Sequence, residues 1–408
     1  MLLQKIIRTL SSLENPEYPL LGPNITGLYW FGLWQCGRKY RDAFFNFVHF
    51  CSLLFVISQF LELYFMEKDL LKVLFNVTIT ALGLVSISKT LFFILFLKDW
   101  KLLIKNISAE EIHALSVGNK NVVNYMNQYK SYSRNLTYLY WCIMLMTSFV
   151  IMLSPYLKLL SNNYLELVKN GTEPYPQMLS SWFPFDDTKM PGYFISVTVH
   201  ILIAIQGIGV IAVYDSNAVA IMSFLKGQMQ ILKYKCENIF GDDYEVISQA
   251  EVISNIKECH RLHNFFIEQH KLFNTILSPV MFIYVLVCSI MICCSVVQLS
   301  VEGVSISQKF WVIEYTTALI IQLLLYCWHS NEIAYESGSV DLGVYTSNWW
   351  RGDVRLRRHA LLLAGKLSPM FILDAGPFNQ FSMTTFINIM KGAYSFYTLF
   401  TQMPENKE

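Results

Sequence analysis

The chain has 408 residues, of which 54% are hydrophobic and 15% aromatic, and only 15% carry a charge, against about 25% in an ordinary soluble domain. A mean hydropathy of +0.37 over that length excludes a soluble globular domain and points to a membrane protein with several spans. The formal net charge of +1 leaves no basic field to attract nucleic acid.

The opening stretch, MLLQKIIRTLSSLENPEYPLL, is interrupted by Lys5 and Arg8 and has no long apolar core, so it does not read as a cleavable signal peptide. Seven apolar stretches are then predicted in chain order: 42–65, 70–97, 136–160, 192–222, 272–300, 308–330 and 382–403. Their length and their richness in Phe, Ile and Leu favour helices over barrel strands, which are about 10 residues long and strictly alternate. The expected fold class is an all-α membrane protein of seven transmembrane helices. The nine cysteines lie mostly in apolar runs and never as CxxC. Cys293 and Cys294 are adjacent on a helix and so diverge, which suits packing and not a metal site.

Counting Lys and Arg in the connections orients the chain. The N-terminal segment and the connections after spans two, four and six hold 22, against seven on the other side. The positive-inside rule therefore predicts a cytoplasmic N-terminus and, with seven spans, an extracellular C-terminus. Asn170 heads an N-x-T pattern on the outer side, whereas Asn24, Asn106 and Asn135 head similar tripeptides on the inner side; the charge count carries more weight than such short patterns. The segment 223–271 has amphipathic helical texture, as does 331–366. Both are expected to extend the spans below the membrane, packing either between subunits or within one.

The last predicted span is unusually polar. Thr385, Asn388, Lys391 with Gly392, Ser395, Thr398 and Gln402 recur every three or four residues and form one stripe on a helix. Polar side chains in hydrocarbon are unfavourable unless they face protein or water. The stripe therefore lines a water-filled path, packs against other helices of the chain, or marks a helix lying flat at the interface. One helix cannot enclose a pore, so a water path requires several subunits around an axis. Leu399, on the edge of the stripe near its outer end, would then form a hydrophobic constriction. Lys391 is costly at mid-membrane and is expected to snorkel toward the inner vestibule or to act on ion selectivity.

NEIAYESGSVDLGVYTSNWW at 331–350 and LRRHALLLAGKLSPMFILDAGPFNQFSMTTFINIMKGAYSFYTLFTQ at 356–402 resemble the C-terminal end of insect odorant receptors. The paired Trp349 and Trp350, the basic LRRHALLL helix, the AGPFNQFS approach to the last span and the KGAYSFYTLF close carry the likeness. The resemblance implies an odorant-gated, non-selective cation channel in the plasma membrane of a sensory neuron dendrite. It also implies a heterotetramer with the shared odorant co-receptor subunit, its last helices lining one central pore. The chain lacks the co-receptor's long cytoplasmic insertion before span five and so resembles the ligand-tuning subunit. By pattern, Leu399, Gln402 and Met403 fall near the outer gate, with Asn388, Lys391, Ser395 and Thr398 along the pore.

The implied organisation is a ligand-pocket half with spans one to four at 1–222 and a cytoplasmic helical extension at 223–271. Spans five and six follow at 272–330, then a cytoplasmic anchor at 331–381 and the pore helix with a short extracellular tail at 382–408. The resemblance places the odorant in the outer half of each subunit, among spans two, three, four and six. The corresponding residues are Phe75, Thr78, Ile79 and Leu82; Thr147, Phe149, Ile151 and Met152; Phe194, Val197, His200 and Ile201; and Ile313, Thr316, Thr317 and Ile320. This apolar and aromatic set with a few hydroxyls suits a small volatile molecule held by packing and one hydrogen bond. His200 is either a pH-sensitive contact or a neutral packed imidazole. Glu314 is expected to pair with Lys309 or face outer water, and Asp215 to support the cytoplasmic extension.

Nothing in the sequence calls for a cofactor or a metal, and His49, His200 and Asp215 are too scattered for an enzyme's catalytic cluster. A G-protein-coupled receptor is disfavoured by the orientation, by the Cys-free loop at 157–190 and by the lack of DRY and NPxxY. A secondary transporter would show internal repeats, and none is seen. A homomeric, gustatory-type ligand-gated channel is the nearest alternative.

Overall fold

The computed structural model describes residues 13–65, 70–159, 162–169, 175–241, 248–300 and 306–402. It begins with helices α1 (Gly22–Trp30), α2 (Lys39–Phe65), α3 (Leu70–Leu95), α4 (Leu97–Val117), α5 (Lys120–Leu159) and α6 (Asn162–Lys169). Then follow α7 (Gly192–Glu237), α8 (Gln249–Ser300), α9 (Ile306–Ser337), α10 (Asp341–Thr346), α11 (Val354–Leu367) and α12 (Met383–Gln402). A two-stranded hairpin, β1 (Asp374–Ala375) against β2 (Asn379–Gln380), precedes α12.

Among the described residues six helices, α2, α3, α5, α7, α8 and α9, are long and apolar enough to cross a membrane, and they correspond to the first six predicted spans, the second of which extends two residues past the end of α3. The seventh stretch forms the 20-residue α12. Its polar stripe keeps it out of that apolar set.

Several of these helices are too long for a bilayer. α5, α7 and α8 have 40, 46 and 52 residues, and at 1.5 Å per residue they reach about 60–78 Å, at least twice the hydrocarbon thickness. The projecting ends bind one another within the chain. Lys226 of α7 pairs with Glu332 of α9, and Gln230 donates to Glu336 one turn on, at 2.7 Å. Arg261 of α8 forks onto Glu258 at 2.8 and 3.0 Å and reaches Glu110 of α4 at 3.5 Å. These carboxylates raise the Arg261 pKa, and Arg261 lowers that of Glu258.

Burial along α7 is graded. From Val210 to Leu232 nearly every side chain is buried, whereas between Gly192 and Gly209 only Tyr193, Ser196 and His200 are. The apolar core is therefore densest where α3, α4, α7 and α8 meet. There Trp100 stacks on Phe93 with centroids 5.0 Å apart and meets Tyr214 and Phe273 edge-on at 5.9 and 6.2 Å.

α4 ends at Gly118, whose left-handed φ of 71° closes the helix where a side chain would be strained. Within α4, Glu111 is buried against the N-terminal segment. It accepts hydrogen bonds from the Leu20 amide at 3.2 Å and the Tyr129 hydroxyl at 2.8 Å, and Gln228 of α7 donates to Tyr129 at 3.2 Å. Burial pushes the Glu111 carboxyl up to about 7, against which the two hydrogen bonds pull.

The hairpin fixes how the chain approaches α12. Asp374 and Gly376 are docked on α8: the Asp374 amide donates to Asn274 at 2.8 Å, Asn274 donates back to the Asp374 carboxylate at 2.9 Å, and the Gly376 amide donates to Ser278 at 3.0 Å. Gly376 turns the hairpin with φ +75°, and a Cβ there would lie 2.6 Å from Phe282. Ser382 then caps α12, its hydroxyl accepting from the Thr385 amide at 3.2 Å.

Candidate ligand cavity and channel-lining helix

Two adjacent spaces lie inside the bundle. The first, of about 40 Å³, is bounded by α3, α5, α7, α8 and α9 through Thr78, Ile79 and Leu82, Met144, Thr147 and Ile151, Ile208 and Ile211, Met291, and Trp311, Tyr315, Ala318, Leu319 and Gln322. None of these side chains is exposed, so the cavity is enclosed. Its hydroxyls already have partners. Thr78 donates to the Leu74 carbonyl at 2.8 Å and receives Gln298 at 3.1 Å; Thr147 donates to Glu314 at 2.7 Å; Tyr315 and Ser295 share a hydrogen bond of 2.5 Å.

Five of the residues singled out in the sequence, Thr78, Ile79, Leu82, Thr147 and Ile151, line this cavity. Phe75 stands beside it, its ring 5.1 Å from that of Trp311. Thr316 is buried and spends its hydroxyl on the Val312 carbonyl. Met152, Ile201 and Ile320 are half-buried against the core, and Val197 is half-buried nearby in sequence. Phe149, Phe194 and Ile313 are 61%, 68% and 53% exposed and point out of the bundle, as does Thr317. His200 is fully buried: Ser181 bonds its Nε2 at 2.8 Å, and Phe55 and Phe183 flank the ring. The partner of Glu314 is Thr147 and not Lys309. Trp311, Tyr315 and Gln322 are the polar and aromatic wall residues the sequence reading did not single out. Their spacing of four and seven along α9 is the signal that marks them as one face.

A second, larger space of about 240 Å³ lies between α2, α3 and α7 and shares Ile79, Leu82, Ile151, Ile208 and Ile211 with the first.

Directly below the enclosed cavity is a buried polar hub. Asp215 of α7 accepts from Lys89 of α3 at 2.6 Å, Tyr140 of α5 at 2.7 Å, and Gln322 and Tyr326 of α9 at 2.5 and 2.6 Å. Lys89 is 0% and Asp215 2% exposed, so water contributes little to holding either charge. The expectation that Asp215 serves the cytoplasmic extension is thus replaced by a role inside the bundle, joining four helices. The hub also reaches the last helix. The Tyr326 ring lies 5.8 Å from that of Phe381, and Ser330 one turn on donates to the Phe381 carbonyl at 2.8 Å.

α12 packs on α8 and α9 through Met383, Phe386, Ile389, Met390 and Ala393. At 3.6 residues per turn the polar stripe lies diametrically opposite that face. Asn388, Lys391 and Ser395 are exposed, Thr398 is half-buried, and a Cβ at Gly392 would meet nothing. Thr385 turns back, donating to the Gln380 carbonyl at 2.6 Å, and Thr398 donates to the Ser395 carbonyl at 2.9 Å. Leu399 is 56% exposed on the stripe's edge, with Ile387 and Tyr394 on one flank and Phe396 on the other, all exposed. Gln402 is the last helical residue, and Met403 lies outside the described residues. Among the described residues, Asn388, Lys391 and Ser395 of the stripe are thus turned away from the helices of their own chain. Among the described residues no group of His, Cys, Asp and Glu is placed to hold a metal.

The fold is similar to that of the olfactory receptor OR5 of Machilis hrabei, solved alone and in complex with eugenol. The complex aligns with a TM-score of 0.77 over 94% of this chain and 97% of that one, at 15% identity. Among curated sequences, odorant receptor 46a isoform B of Drosophila melanogaster is 25% identical over 191 residues, covering 46% of this chain and 49% of the relative. Odorant receptor 82a of the same fly is 23% identical over 217 residues, 53% of this chain and 55% of the relative. The chain thus spans about half the length of the curated relatives it matches. The family described as 7tm Odorant receptor, a family of receptors and not of enzymes, matches residues 69–394. That match covers well over half of the sequence and all but the first of the membrane-crossing helices, and the chain belongs to this odorant receptor family.

Proposed function

We propose that the chain is the odorant-binding subunit of a ligand-gated, non-selective cation channel of the plasma membrane of sensory neuron dendrites. It assembles with the shared odorant co-receptor as a heterotetramer around α12 and turns binding of a small, volatile, apolar molecule into cation current. The observation that carries this reading is the geometry of α12: one face is anchored on α8 and α9, and on the polar stripe directly opposite Asn388, Lys391 and Ser395 are exposed. Apolar and aromatic flanks beside the stripe suit contacts with neighbouring subunits, leaving the stripe to face water.

The same geometry supplies a route from ligand to pore. A cavity of about 40 Å³ holds roughly three waters, so an odorant must enlarge it. Met144 and Met291, with flexible thioether side chains, yield most readily on the α5 and α8 walls. Trp311 and Tyr315 make the α9 wall stiffer, so part of the displacement falls on α9 itself. Through Tyr326 and Ser330, α9 holds Phe381 at the foot of α12. A ligand gains differential affinity for the open state only through such a coupled displacement.

The test is whole-cell current in cells expressing the chain with and without an insect odorant co-receptor, under a panel of esters, terpenes, alcohols and aldehydes and with G-protein signalling blocked. An evoked cation current that needs both chains supports the proposal. A response from this chain alone favours a homomeric, gustatory-type channel.

A further inference from the structure

The 240 Å³ chamber is several times larger than the enclosed cavity, lies beside it and opens outward. Its mouth is formed by Phe50 and Leu53 of α2 and Leu91 of α3, which are 54%, 41% and 53% exposed. α2 is the least buried of the six membrane-crossing helices, with 17% of its apolar window buried against 33–50% for the others. α12, the helix with the polar stripe, packs instead on α8 and α9. The mouth therefore opens on an apolar flank of the subunit, where the surrounding medium is hydrocarbon.

The inner wall is equally telling. Ile79, Leu82, Ile151, Ile208 and Ile211 face both spaces, so only aliphatic side chains separate them. Three of the chamber's polar groups are already occupied. Ser86 donates to the Gly207 carbonyl at 3.1 Å, Thr90 to Ser86 at 3.0 Å, and Gln206 to the Phe31 carbonyl at 3.1 Å. A molecule passing through encounters chiefly hydrocarbon, and aliphatic rotamers exchange quickly compared with gating motions.

We propose that this chamber is a lateral portal through which small apolar molecules dissolved in the bilayer reach the enclosed cavity, an inference that rests on the odorant-binding reading above. Hydrocarbon favours each methylene by about fourfold over water. A six-carbon chain is therefore concentrated in the membrane on the order of a thousandfold, and the portal draws on that pool.

Ala204→Phe and Ile87→Trp test the portal, because both residues line the chamber and neither lines the enclosed cavity. Each variant is expressed with the co-receptor, its surface density is measured, and hexyl acetate is applied by rapid perfusion. The expected result is that rise and decay of the current both slow by at least threefold while the half-maximal concentration stays within twofold of the unmodified chain. Narrowing a path slows both directions and leaves the equilibrium untouched. Should either bulky variant fail to reach the surface, Ala204→Cys is modified after assembly with a long-chain alkyl methanethiosulfonate, the unmodified chain under the same reagent serving as control. Unchanged rates in the blocked channels, or a shifted half-maximal concentration with unchanged rates, would overturn the portal; the latter would make the chamber itself a seat for ligand or lipid. Absence of any evoked current from the unmodified pair is a separate failure, that of the odorant-binding reading.

Discussion

Replacing Asp215 with Leu should unfold the bundle, and adding Lys89→Met should largely rescue it. Asp215→Leu strands the buried Lys89 ammonium, at a cost of about 3–5 kcal/mol. It also removes the acceptor used by Tyr140, Gln322 and Tyr326, at about 1–3 kcal/mol for each donor left unsatisfied. The total is upward of about 6 kcal/mol, comparable with the whole stability of an ordinary domain. Lys89→Met alone leaves a carboxylate still held by three donors and should cost only about 3 kcal/mol, the low end for breaking a buried pair. The double variant carries no buried charge, and its remaining cost is that of the three donors, again about 3 kcal/mol at the low end. The assay is the thermal midpoint of each fluorescently tagged variant in detergent, read by size-exclusion chromatography. The expected order places the unmodified chain highest, Lys89→Met and the double variant together below it, and Asp215→Leu lowest. If Lys89→Met failed to raise the midpoint of Asp215→Leu, the lysine charge would not be the stranded group and the hub would have to be reassigned.

Three further outcomes follow from other parts of the structure. Leu399→Ala should raise basal current, because the exposed Leu399 sits at the edge of the polar stripe; single-channel open probability measured without ligand checks it, and an unchanged value removes Leu399 from the gate. Gly376→Ala forces a side chain into a left-handed turn and against Phe282, costing about 1–3 kcal/mol locally, so evoked current per surface channel should fall. Glu111→Gln should alter the pH dependence of stability. Burial raises this carboxyl from 4.5 to about 7 in the folded chain, so between those values the folded state binds more protons than the unfolded one and stability falls as pH rises. From pH 5 to pH 8 the unmodified chain should lose about 3 kcal/mol relative to the variant. Parallel thermal midpoints over that range would refute the assignment.

The helices were readable because twenty-residue apolar runs have few alternative folds in a membrane. The polar stripe of the last span was readable because its residues repeat at helical spacing. Which face of a span looks inward was harder to read. In α9 the sequence reading favoured Ile313, Thr316, Thr317 and Ile320, while the cavity wall is Trp311, Tyr315, Ala318, Leu319 and Gln322, a rotation of the helix by nearly half a turn. Lipid-facing and core-facing positions are both apolar, so hydrophobic periodicity loses its contrast there. In α7 the chosen residues, Phe194 to Ile201, stand at a different height from the lining Ile208 and Ile211. Nor is the pairing of Lys89 with Asp215 written in any local pattern, since 126 residues separate them. A charge in each of two spans is nevertheless the signal that intramembrane ions seek each other.

The graded burial of α7 has a bearing on how such a chain can change over generations. Between Val210 and Leu232 almost any substitution disturbs packing on several helices, whereas above Gly209 most side chains are loosely held. Cavity-forming losses in dense cores cost about 2–5 kcal/mol, and loosely packed sites cost far less. The loosely packed stretch can therefore drift through many surface shapes while the dense one keeps the architecture upright, which suits a lineage of sensors that must diversify without reinventing how they stand.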